Sequence, residues 1–285
     1  MYYLLLFLLY PISRLPLWML YGISGVARRI LFGLFGYRRP IVRANLKSAF
    51  PQKGDAEIEQ IRKEFERAFC DQWIETIKLL TISKKSLERR MKFTGEDVLA
   101  LEAQGKNCAV FLGHQFNWEW AALRTQWATE KDFAGIYLPL SSKPVDRLMQ
   151  RLRSRGGGIF ISMKNLRAGL AQLAGRQYTL GLIADQNPSQ PDAALWIPFM
   201  NREAPFHTGG ETLARRGGAV PLFAALRCTR RGHYEVHFEK LWNEAGVPPA
   251  GEITRRYVKR LEAALEAQPH NYLWSHRRWK HIKKG

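Results

Sequence analysis

The sequence predicts an α/β fold in which a mixed, largely parallel sheet is flanked by helices and preceded by an apolar N-terminal helical segment. Three observations predict this architecture. Short apolar runs bounded by glycine, proline or polar residues have the length of strands. Segments with apolar residues every three or four positions separate these runs, as amphipathic helices do. The hydrophobic content of 46% over 285 residues suffices for a full core and excludes wholesale disorder.

The N-terminal segment is uncharged over two stretches. Met1–Ser13 carries no charge, Arg14 interrupts, and residues 15–27 are again uncharged. Neither stretch reaches the roughly 20 apolar residues that a spanning helix needs. Either both span a membrane together with Arg14 tolerated, or two short segments broken at Pro11 and Pro16 enter one leaflet. A buried pair of core helices is the alternative without a membrane, since the first stretch has no polar face to show to water.

Cations set the expected orientation of this segment. Five arginines follow its apolar stretches: Arg28, Arg29, Arg38, Arg39 and Arg43. The positive-inside rule then places the remaining chain in the cytoplasm. A cleavable signal peptide is disfavoured, because the cations follow the apolar run and no A-x-A site is present. We therefore expect a membrane anchor over residues 1–37 and one domain over residues 38–285.

The net charge of +19 is concentrated at the two ends of the chain. Eight cations precede the first acidic residue, Asp55, and five follow the last one, Glu266, so 13 of the 19 charges lie there. Lys284 is one of the five. This distribution predicts polyanionic partners, above all an anionic membrane surface. Nucleic acid is disfavoured, because no RRM, KH or helix-turn-helix pattern accompanies the charge.

The body of the chain alternates helix and strand without a linker long enough to divide it. The predicted strands are Cys108–Leu112, Phe133–Leu138, Ile159–Ser162, Thr179–Ala184, Val220–Leu226 and Tyr234–Phe238. The predicted helices are Ala56–Leu80, Trp118–Thr129, Pro144–Arg153, Asn165–Leu173, Thr208–Arg215 and Ile253–Ala267. Helices between strands imply parallel strand neighbours, and ligands in such sheets bind beyond the carboxyl ends of the strands.

A histidine and a carboxylate follow the first of these strands. His114 lies just after the strand, and Glu119 lies five residues later at the entry to the next helix. A carboxylate on one imidazole nitrogen fixes the tautomer and leaves the other nitrogen as a general base for a hydroxyl. The H-x4-E spacing alone is a weak signal, and a histidine that only caps the strand end is the competing interpretation.

Other catalytic patterns are missing from the sequence. It contains no G-x-S-x-G elbow, Walker loop, G-x-G-x-x-G fingerprint or H-E-x-x-H pair. The three cysteines, Cys70, Cys108 and Cys228, are isolated and form no C-x-x-C pair. These absences favour direct transfer to a hydroxyl over a covalent intermediate or nucleotide chemistry, and we expect neither a metal nor a prosthetic group.

Five blocks of the chain resemble the bacterial late acyltransferases of lipid A biosynthesis, of the lauroyl/myristoyl type. That family lies within the H-x4-D/E glycerolipid and lysophospholipid acyltransferase superfamily. The blocks are YRRPIVRANLKSAFP (Tyr37–Pro51), GHQFNWEW (Gly113–Trp120), GLIADQNP (Gly181–Pro188), WIPFMNREAPFHTGGETLAR (Trp196–Arg215) and WSHRRWK (Trp274–Lys280). They cover nearly the whole chain in matching order, so together they are far more specific than any one of them.

The resemblance implies roles for the catalytic block. His114 is then the catalytic base and Glu119 its partner, while Asn117 and Trp118 shape the turn between them. The family usually has glycine at the position of Phe116, and the next block often has glycine where Asn201 stands. Both departures leave the catalytic pair intact.

Candidate substrate-binding residues lie in three segments: before the Gly156–Gly158 turn, in the GLIADQNP block, and at Asn117 of the GHQFNWEW block. Arg155, before the Gly156–Gly158 turn, best matches the family position for an arginine that grips a phosphate or carboxylate. Asp185 and Gln186 follow a predicted strand at the edge where ligands bind. A solvated helix face is the structural alternative for the neighbouring Arg147, Arg151 and Arg153, and an Asx turn is the alternative for Asp185 and Gln186.

The resemblance also implies the reaction and its setting. A fatty acyl chain passes from an acyl carrier protein thioester to a hydroxyl of an anionic glycolipid, a lipid A precursor, on the cytoplasmic side of the inner membrane. The basic surface suits the acidic carrier protein as well as the membrane. The alternatives are another acceptor (a phosphoinositide mannoside, an aminolipid or a lysophospholipid), a coenzyme A donor, or an inactive membrane-bound scaffold with the same fold.

Overall fold

The computed structural model describes residues 1–97, 100–101 and 104–283, so Lys284 lies outside the described residues. The helices are α1 (Tyr2–Arg14), α2 (Leu17–Arg28), α3 (Arg39–Ala49), α4 (Asp55–Lys78), α5 (Lys84–Arg90), α6 (Trp118–Ala128), α7 (Lys143–Arg153), α8 (Leu166–Ala171), α9 (Gly209–Arg216) and α10 (Glu252–Ala267). The strands are β1 (Met91–Gly95), β2 (Cys108–Leu112), β3 (Asp132–Tyr137), β4 (Ile159–Ser162), β5 (Tyr178–Ile183), β6 (Leu195–Phe199), β7 (Arg202–Phe206), β8 (Val220–Arg230) and β9 (His233–Lys240).

Seven of the described strands form one mixed sheet in the order β1-β9-β8-β2-β5-β3-β4. Its neighbours are parallel except for β8 and β9, which are antiparallel. The fold class predicted from the sequence is confirmed. Each of the six predicted strands and six predicted helices is present, whereas β1 and the separate β6–β7 hairpin were not predicted.

The central strand β2 divides the hydrophobic core into two layers. All five of its residues are buried. Ala109 and Phe111 pack into one cluster, while Cys108, Val110 and Leu112 pack into the other. This alternation is that of a strand covered on both faces by helices, and it leaves only the strand ends accessible to a ligand.

The N-terminal helices pack against α4 of the domain. Helix α1 continues through Pro11 and ends at Arg14, so of the two expected breaks only the one at Pro16 is observed. A π-helical turn, Arg29–Leu34, extends α2. Together they give one segment, Leu17–Leu34, that is long and apolar enough to cross a membrane by length and composition.

Polar contacts join these N-terminal helices to α4. The Ser24 hydroxyl donates to Asp71 Oδ1 at 2.5 Å, and Lys78 Nζ donates to the carbonyls of Ser13 at 2.8 Å and Leu15 at 2.9 Å. Trp73, which the helical pattern predicts on the apolar face of α4, is instead 54% exposed.

Candidate active site

The candidate site lies beyond the carboxyl ends of β2 and β5. These strands are parallel neighbours whose register pairs Leu112 with Ile183. Two residues further along, the same register brings His114 opposite Asp185. The sheet therefore joins two residues that are 71 positions apart in the chain.

Asp185 binds both the backbone and the ring of His114. Its Oδ1 lies 2.6 Å from His114 Nδ1, and its Oδ2 accepts a hydrogen bond from the His114 backbone N–H at 3.1 Å. Burial opposes ionisation of Asp185, but the charge and hydrogen bonds of His114 and a hydrogen bond from Tyr272 outweigh it and lower the pKa of Asp185 to about 2. The carboxylate therefore keeps a proton on Nδ1 and leaves the lone pair on Nε2.

The second nitrogen of His114 faces Gln186. Gln186 Nε2 lies 3.0 Å from His114 Nε2, the geometry of an amide donating to the imidazole lone pair. The side chain of His114 remains 16% exposed, whereas that of Asp185 is 2% exposed. A hydroxyl that replaced the Gln186 amide would meet a neutral imidazole oriented to accept its proton.

The carboxylate that contacts the His114 ring belongs to Asp185 and not to Glu119. Glu119 binds Arg153 of α7, with Arg153 Nη2 2.6 Å from Oε1 and Arg153 Nε 3.0 Å from Oε2. Because α6 begins at Trp118, Glu119 lies in the first helical turn and faces α7. Among the described contacts, Trp118 links it to His114: the indole N–H donates to Oε1 at 3.1 Å, and the ring lies 5.2 Å from the imidazole centroid.

Asn117 forms the buried support of the turn and does not face the candidate substrate position. Its side chain caps α6 by accepting from the Trp120 N–H at 3.1 Å, and its Nδ2 donates to Glu75 Oε2 at 2.7 Å. The residue is completely buried. Its expected role in shaping the turn has this geometric basis. Both ends of the amide have protein partners, and the expected contact with substrate stays a prediction.

Glu75 is the main site residue that sequence reasoning missed. Its carboxylate accepts hydrogen bonds from Tyr21 at 2.7 Å, from Tyr234 at 2.6 Å and from Asn117, so one buried side chain joins α2, α4, β9 and the catalytic turn. The sequence does contain a signal: Asp71, Glu75 and Lys78 form a polar stripe at helical spacing on an otherwise amphipathic helix.

The buried carboxyl of Glu75 predicts a pH dependence of stability. Burial raises its pKa to about 7 against hydrogen bonds from Tyr234, Tyr21 and Asn117 that lower it. The folded state then binds the proton more tightly than the unfolded state, whose pKa is near the ordinary 4.5. This contribution to stability is complete below pH 4.5 and is lost as the pH rises to 7. We expect wild type to lose about 3 kcal/mol of unfolding free energy relative to Glu75→Gln over this interval.

Urea unfolding at a series of pH values measures this difference. Glu57→Gln, near the start of the same helix, is the control: Lys53 lowers the pKa of Glu57 below 4.5, so its difference curve changes only below pH 4.5 and should be flat from pH 4.5 to 7. A flat difference between wild type and Glu75→Gln across this pH range would contradict the assignment.

Arg155 does not lie beside His114 either. Its Nη1 donates to the carbonyl of Leu79 at 2.5 Å, and its guanidinium lies 5.3 Å from the ring centroid of Trp127, near the end of α6. The catalytic turn is at the opposite end of that helix. Among the arginines before the Gly156–Gly158 turn, it is Arg153 that reaches the site, through Glu119, and the expected substrate-binding role of Arg155 stays a prediction.

The C-terminal block lies against the site and links it to the other blocks. Asn187 Nδ2 lies 3.2 Å from His276 Nε2, and Asn187 Oδ1 accepts from Arg278 at 2.9 Å. Arg278, 1% exposed, also donates to the carbonyl of Pro205 in β7. Asn45 of α3 donates to the backbone of this block at both Trp274 and His276. All five sequence blocks therefore meet around the edge of the sheet.

His276 lies near several charged groups of the site. Burial lowers the pKa of His276 to about 4; the negative charge of Asp185 opposes this shift, and the positive charges of Arg278 and Lys280 add to it. Within the described ranges, no group of three or more His, Cys, Asp or Glu side chains is arranged to hold a metal ion. This arrangement could support proton transfer at His114 Nε2.

Comparison with known proteins identifies the family. The chain matches no curated protein sequence. The sequence model of the family described as bacterial lipid A biosynthesis acyltransferase matches residues 1–281, which is nearly the full length. The chain belongs to the bacterial lipid A biosynthesis acyltransferase family.

Proposed function

We propose that this enzyme transfers a fatty acyl chain from an acyl carrier protein thioester to a hydroxyl of a lipid A precursor, with His114 as general base. The observation that carries the proposal is the pairing of His114 Nδ1 with Asp185 at 2.6 Å, which leaves Nε2 at the ligand-binding edge of the sheet. Membership of the acyltransferase family supplies the reaction class.

The proposed step is a direct transfer. His114 Nε2 accepts the proton of the acceptor hydroxyl while the hydroxyl oxygen forms a bond to the thioester carbonyl carbon. The tetrahedral intermediate then breaks the carbon–sulfur bond, and the imidazolium returns the proton to the departing thiolate, so the histidine ends neutral. Asp185 stabilises the imidazolium and holds the ring in place. The position of the Gln186 amide, 3.0 Å from Nε2, marks where the acceptor oxygen binds.

Glu119 acts on this centre indirectly in the proposed mechanism. Its carboxylate fixes Arg153 and the indole of Trp118, and the indole packs against the His114 ring. The proposed role of Glu119 is therefore to position Trp118 and the imidazole, while Asp185 acts on the imidazole proton.

The membrane contact is proposed to be the exposed face of α1 and α2. These helices differ from a water-soluble amphipathic helix: besides Tyr2 and Leu20 they bury Ser13 and Ser24, while many large apolar residues are exposed. The exposed ones are Met1, Tyr3, Leu4, Phe7, Leu8, Tyr10, Trp18, Met19, Ile23, Val26, Ile30, Leu34 and Phe35. So many exposed large apolar side chains on neighbouring helices mark a membrane or protein contact.

Contacts of α2 favour attachment to one leaflet over a transmembrane span. Ser24 and Tyr21 of α2 are hydrogen-bonded to Asp71 and Glu75 of α4. A spanning α2 would carry these carboxylates into the hydrocarbon, which costs several kcal/mol. We therefore propose that α1 and α2 lie in the plane of the cytoplasmic leaflet, with the apolar side chains immersed and the catalytic domain above them.

Charged substitutions on this face are expected to release the enzyme from membranes. Phe7, 74% exposed, and Ile23, 39% exposed, point away from the domain, so a Phe7→Asp/Ile23→Asp variant should lose at least tenfold in binding to phosphatidylcholine vesicles. Vesicle flotation measures this loss. Val247→Asp, at an exposed apolar residue elsewhere on the domain, is the control and should bind as wild type. Equal binding of all three proteins would refute the proposed face.

A transfer assay tests the proposed reaction. Detergent-solubilised protein is incubated with labelled acyl carrier protein thioester and a Kdo-bearing lipid A precursor, and the acylated lipid is separated and counted. Parallel reactions replace the donor by acyl coenzyme A, or the acceptor by a phosphoinositide mannoside, an aminolipid or a lysophospholipid. Transfer from the carrier protein to the lipid A precursor supports the proposal. Transfer only in a parallel reaction reassigns donor or acceptor, and no transfer by folded protein in any reaction overturns it.

A further inference from the structure

An open cavity of about 450 Å³ lies away from the candidate active site, at the junction of α1 and α2. Its lining comprises Pro16, Leu17, Trp18, Tyr21, Lys78, Ser86 and Arg90. Two of these side chains are cationic and none is a carboxylate. The volume is within the range of small-ligand sites.

The two cations of this cavity are held in place and retain donors for a ligand. Lys78 Nζ uses two of its three protons on the carbonyls of Ser13 and Leu15. Arg90 Nη1 donates to the carbonyl of Gly232 at 3.2 Å, so one edge of the guanidinium is fixed by the backbone. Fixed ammonium and guanidinium groups are the usual ligands of phosphate oxygens.

The local field is positive. Burial lowers the pKa of Lys78, and the charges of Arg90 and Arg14 lower it further. The pKa of His233, beside Arg90, is lowered by burial and by the charges of Arg230 and Arg90. An anion in the cavity would relieve this repulsion.

Two carboxylates of α4 that lie near the cavity lining have other partners. Asp71 binds Arg231 and Ser24, and Glu75 is hydrogen-bonded to Tyr21. The amino end of α2 at Leu17 also has no side-chain cap, so its dipole adds to the positive potential.

We propose that this cavity is a phosphate-binding site, with Lys78 and Arg90 as its ligands, and that its occupant is the headgroup of an anionic phospholipid. Trp18, which lines the cavity, is 74% exposed on the apolar face assigned above to the membrane. The phosphates of a leaflet into which that face inserts lie at the depth of such an aromatic side chain. The lipid source rests on the proposed membrane attachment, whereas anion binding by the cavity does not.

The test compares two neighbouring arginines of α5. Arg90→Gln removes a ligand of the cavity, and Arg89→Gln removes the same charge one residue away at an exposed position that does not line it. Flotation of the full-length protein is measured at physiological ionic strength with phosphatidylcholine vesicles, with and without phosphatidylglycerol. Charges further apart than about 8 Å are largely screened there. The quantity compared is the factor by which phosphatidylglycerol increases vesicle binding. We expect Arg90→Gln to reduce this factor about tenfold, and Arg89→Gln to reduce it less than about twofold.

A second measurement shows whether the cavity binds a phospholipid headgroup or free phosphate. Inorganic phosphate is titrated into each protein in neutral detergent by calorimetry. Loss of phosphate binding in Arg90→Gln, without a selective effect on vesicles, would keep the anion site and overturn its assignment to phospholipid. Equal effects of Arg89→Gln and Arg90→Gln in both measurements would overturn the site in favour of diffuse surface charge.

A conservative variant guards against loss of structure. Arg90→Lys keeps the charge and should bind phosphatidylglycerol vesicles within about threefold of wild type. Thermal unfolding of each variant checks the fold. Failure of wild type to bind even pure phosphatidylcholine would count against membrane attachment and leave the phosphate titration as the test of the cavity.

Discussion

Asp185→Asn is expected to lower kcat by about 10³- to 10⁴-fold without unfolding the protein. The asparagine side chain has one acceptor oxygen. The backbone N–H of His114 would donate to this oxygen, as it now donates to Asp185 Oδ2. The amide nitrogen then faces Nδ1 and donates to it, which moves the ring proton to Nε2. The lone pair that should accept the hydroxyl proton is thereby lost.

A double-mutant cycle with His114→Ala sharpens this prediction. Because the two residues act as one unit, His114→Ala and the double variant should show the same residual rate, so the effects are strongly non-additive. Asp192→Asn, an exposed change of the same type in the following loop, is the control and should keep wild-type activity. Retained activity in Asp185→Asn with activity lost in Glu119→Gln would restore Glu119 as the direct partner of the imidazole.

Arg153→Met is expected to destabilise the folded enzyme by about 3 to 5 kcal/mol. The side chain of Glu119 is only 4% exposed, and Arg153 is its one cationic partner among the described residues. Removing the guanidinium leaves a buried carboxylate without its counterion, which is costly, whereas removing both charges is not. The double variant Arg153→Met/Glu119→Gln should therefore recover most of the lost stability.

Urea unfolding in neutral detergent measures this effect. The control is Arg176→Met, which breaks the pair with Asp132, whose side chains are 53% and 34% exposed. Exposed pairs contribute at most about 1 kcal/mol, so this variant should remain near wild type. Similar losses in Arg153→Met and Arg176→Met, or a double variant no more stable than Arg153→Met, would contradict the account of Glu119 as a buried ion-paired residue.

The fold was largely predictable from the sequence because its main strands are short apolar runs between clear breaks. β2 and β4 have the predicted limits. β1 was missed because only one of its five residues is buried, so it carries no apolar run. The β6–β7 hairpin contains Pro198 and Pro205, which argue against strands in a sequence pattern.

The carboxylate that pairs with His114 differs from the expected one, because strand order is not written in the sequence. Glu119 is the nearest carboxylate to His114 in the chain, whereas Asp185 becomes its neighbour only when β2 and β5 pair. Asp185 and Gln186 were nevertheless predicted at the correct edge of the sheet, from the position of their strand end. The departure at Asn201 also has a backbone explanation, since its φ of 64° is a conformation suited to the glycine common there.

The network around Glu75 has a practical consequence for handling this enzyme. Tyr21 belongs to the apolar segment, yet its hydroxyl satisfies the same carboxylate that holds Asn117 under the catalytic turn. Truncating the first 37 residues to obtain a soluble fragment would thus hydrate that carboxylate and loosen the turn. A more soluble enzyme is better obtained by replacing the outward-facing apolar side chains of the two helices with polar ones, while their inward-facing serines and tyrosine are kept.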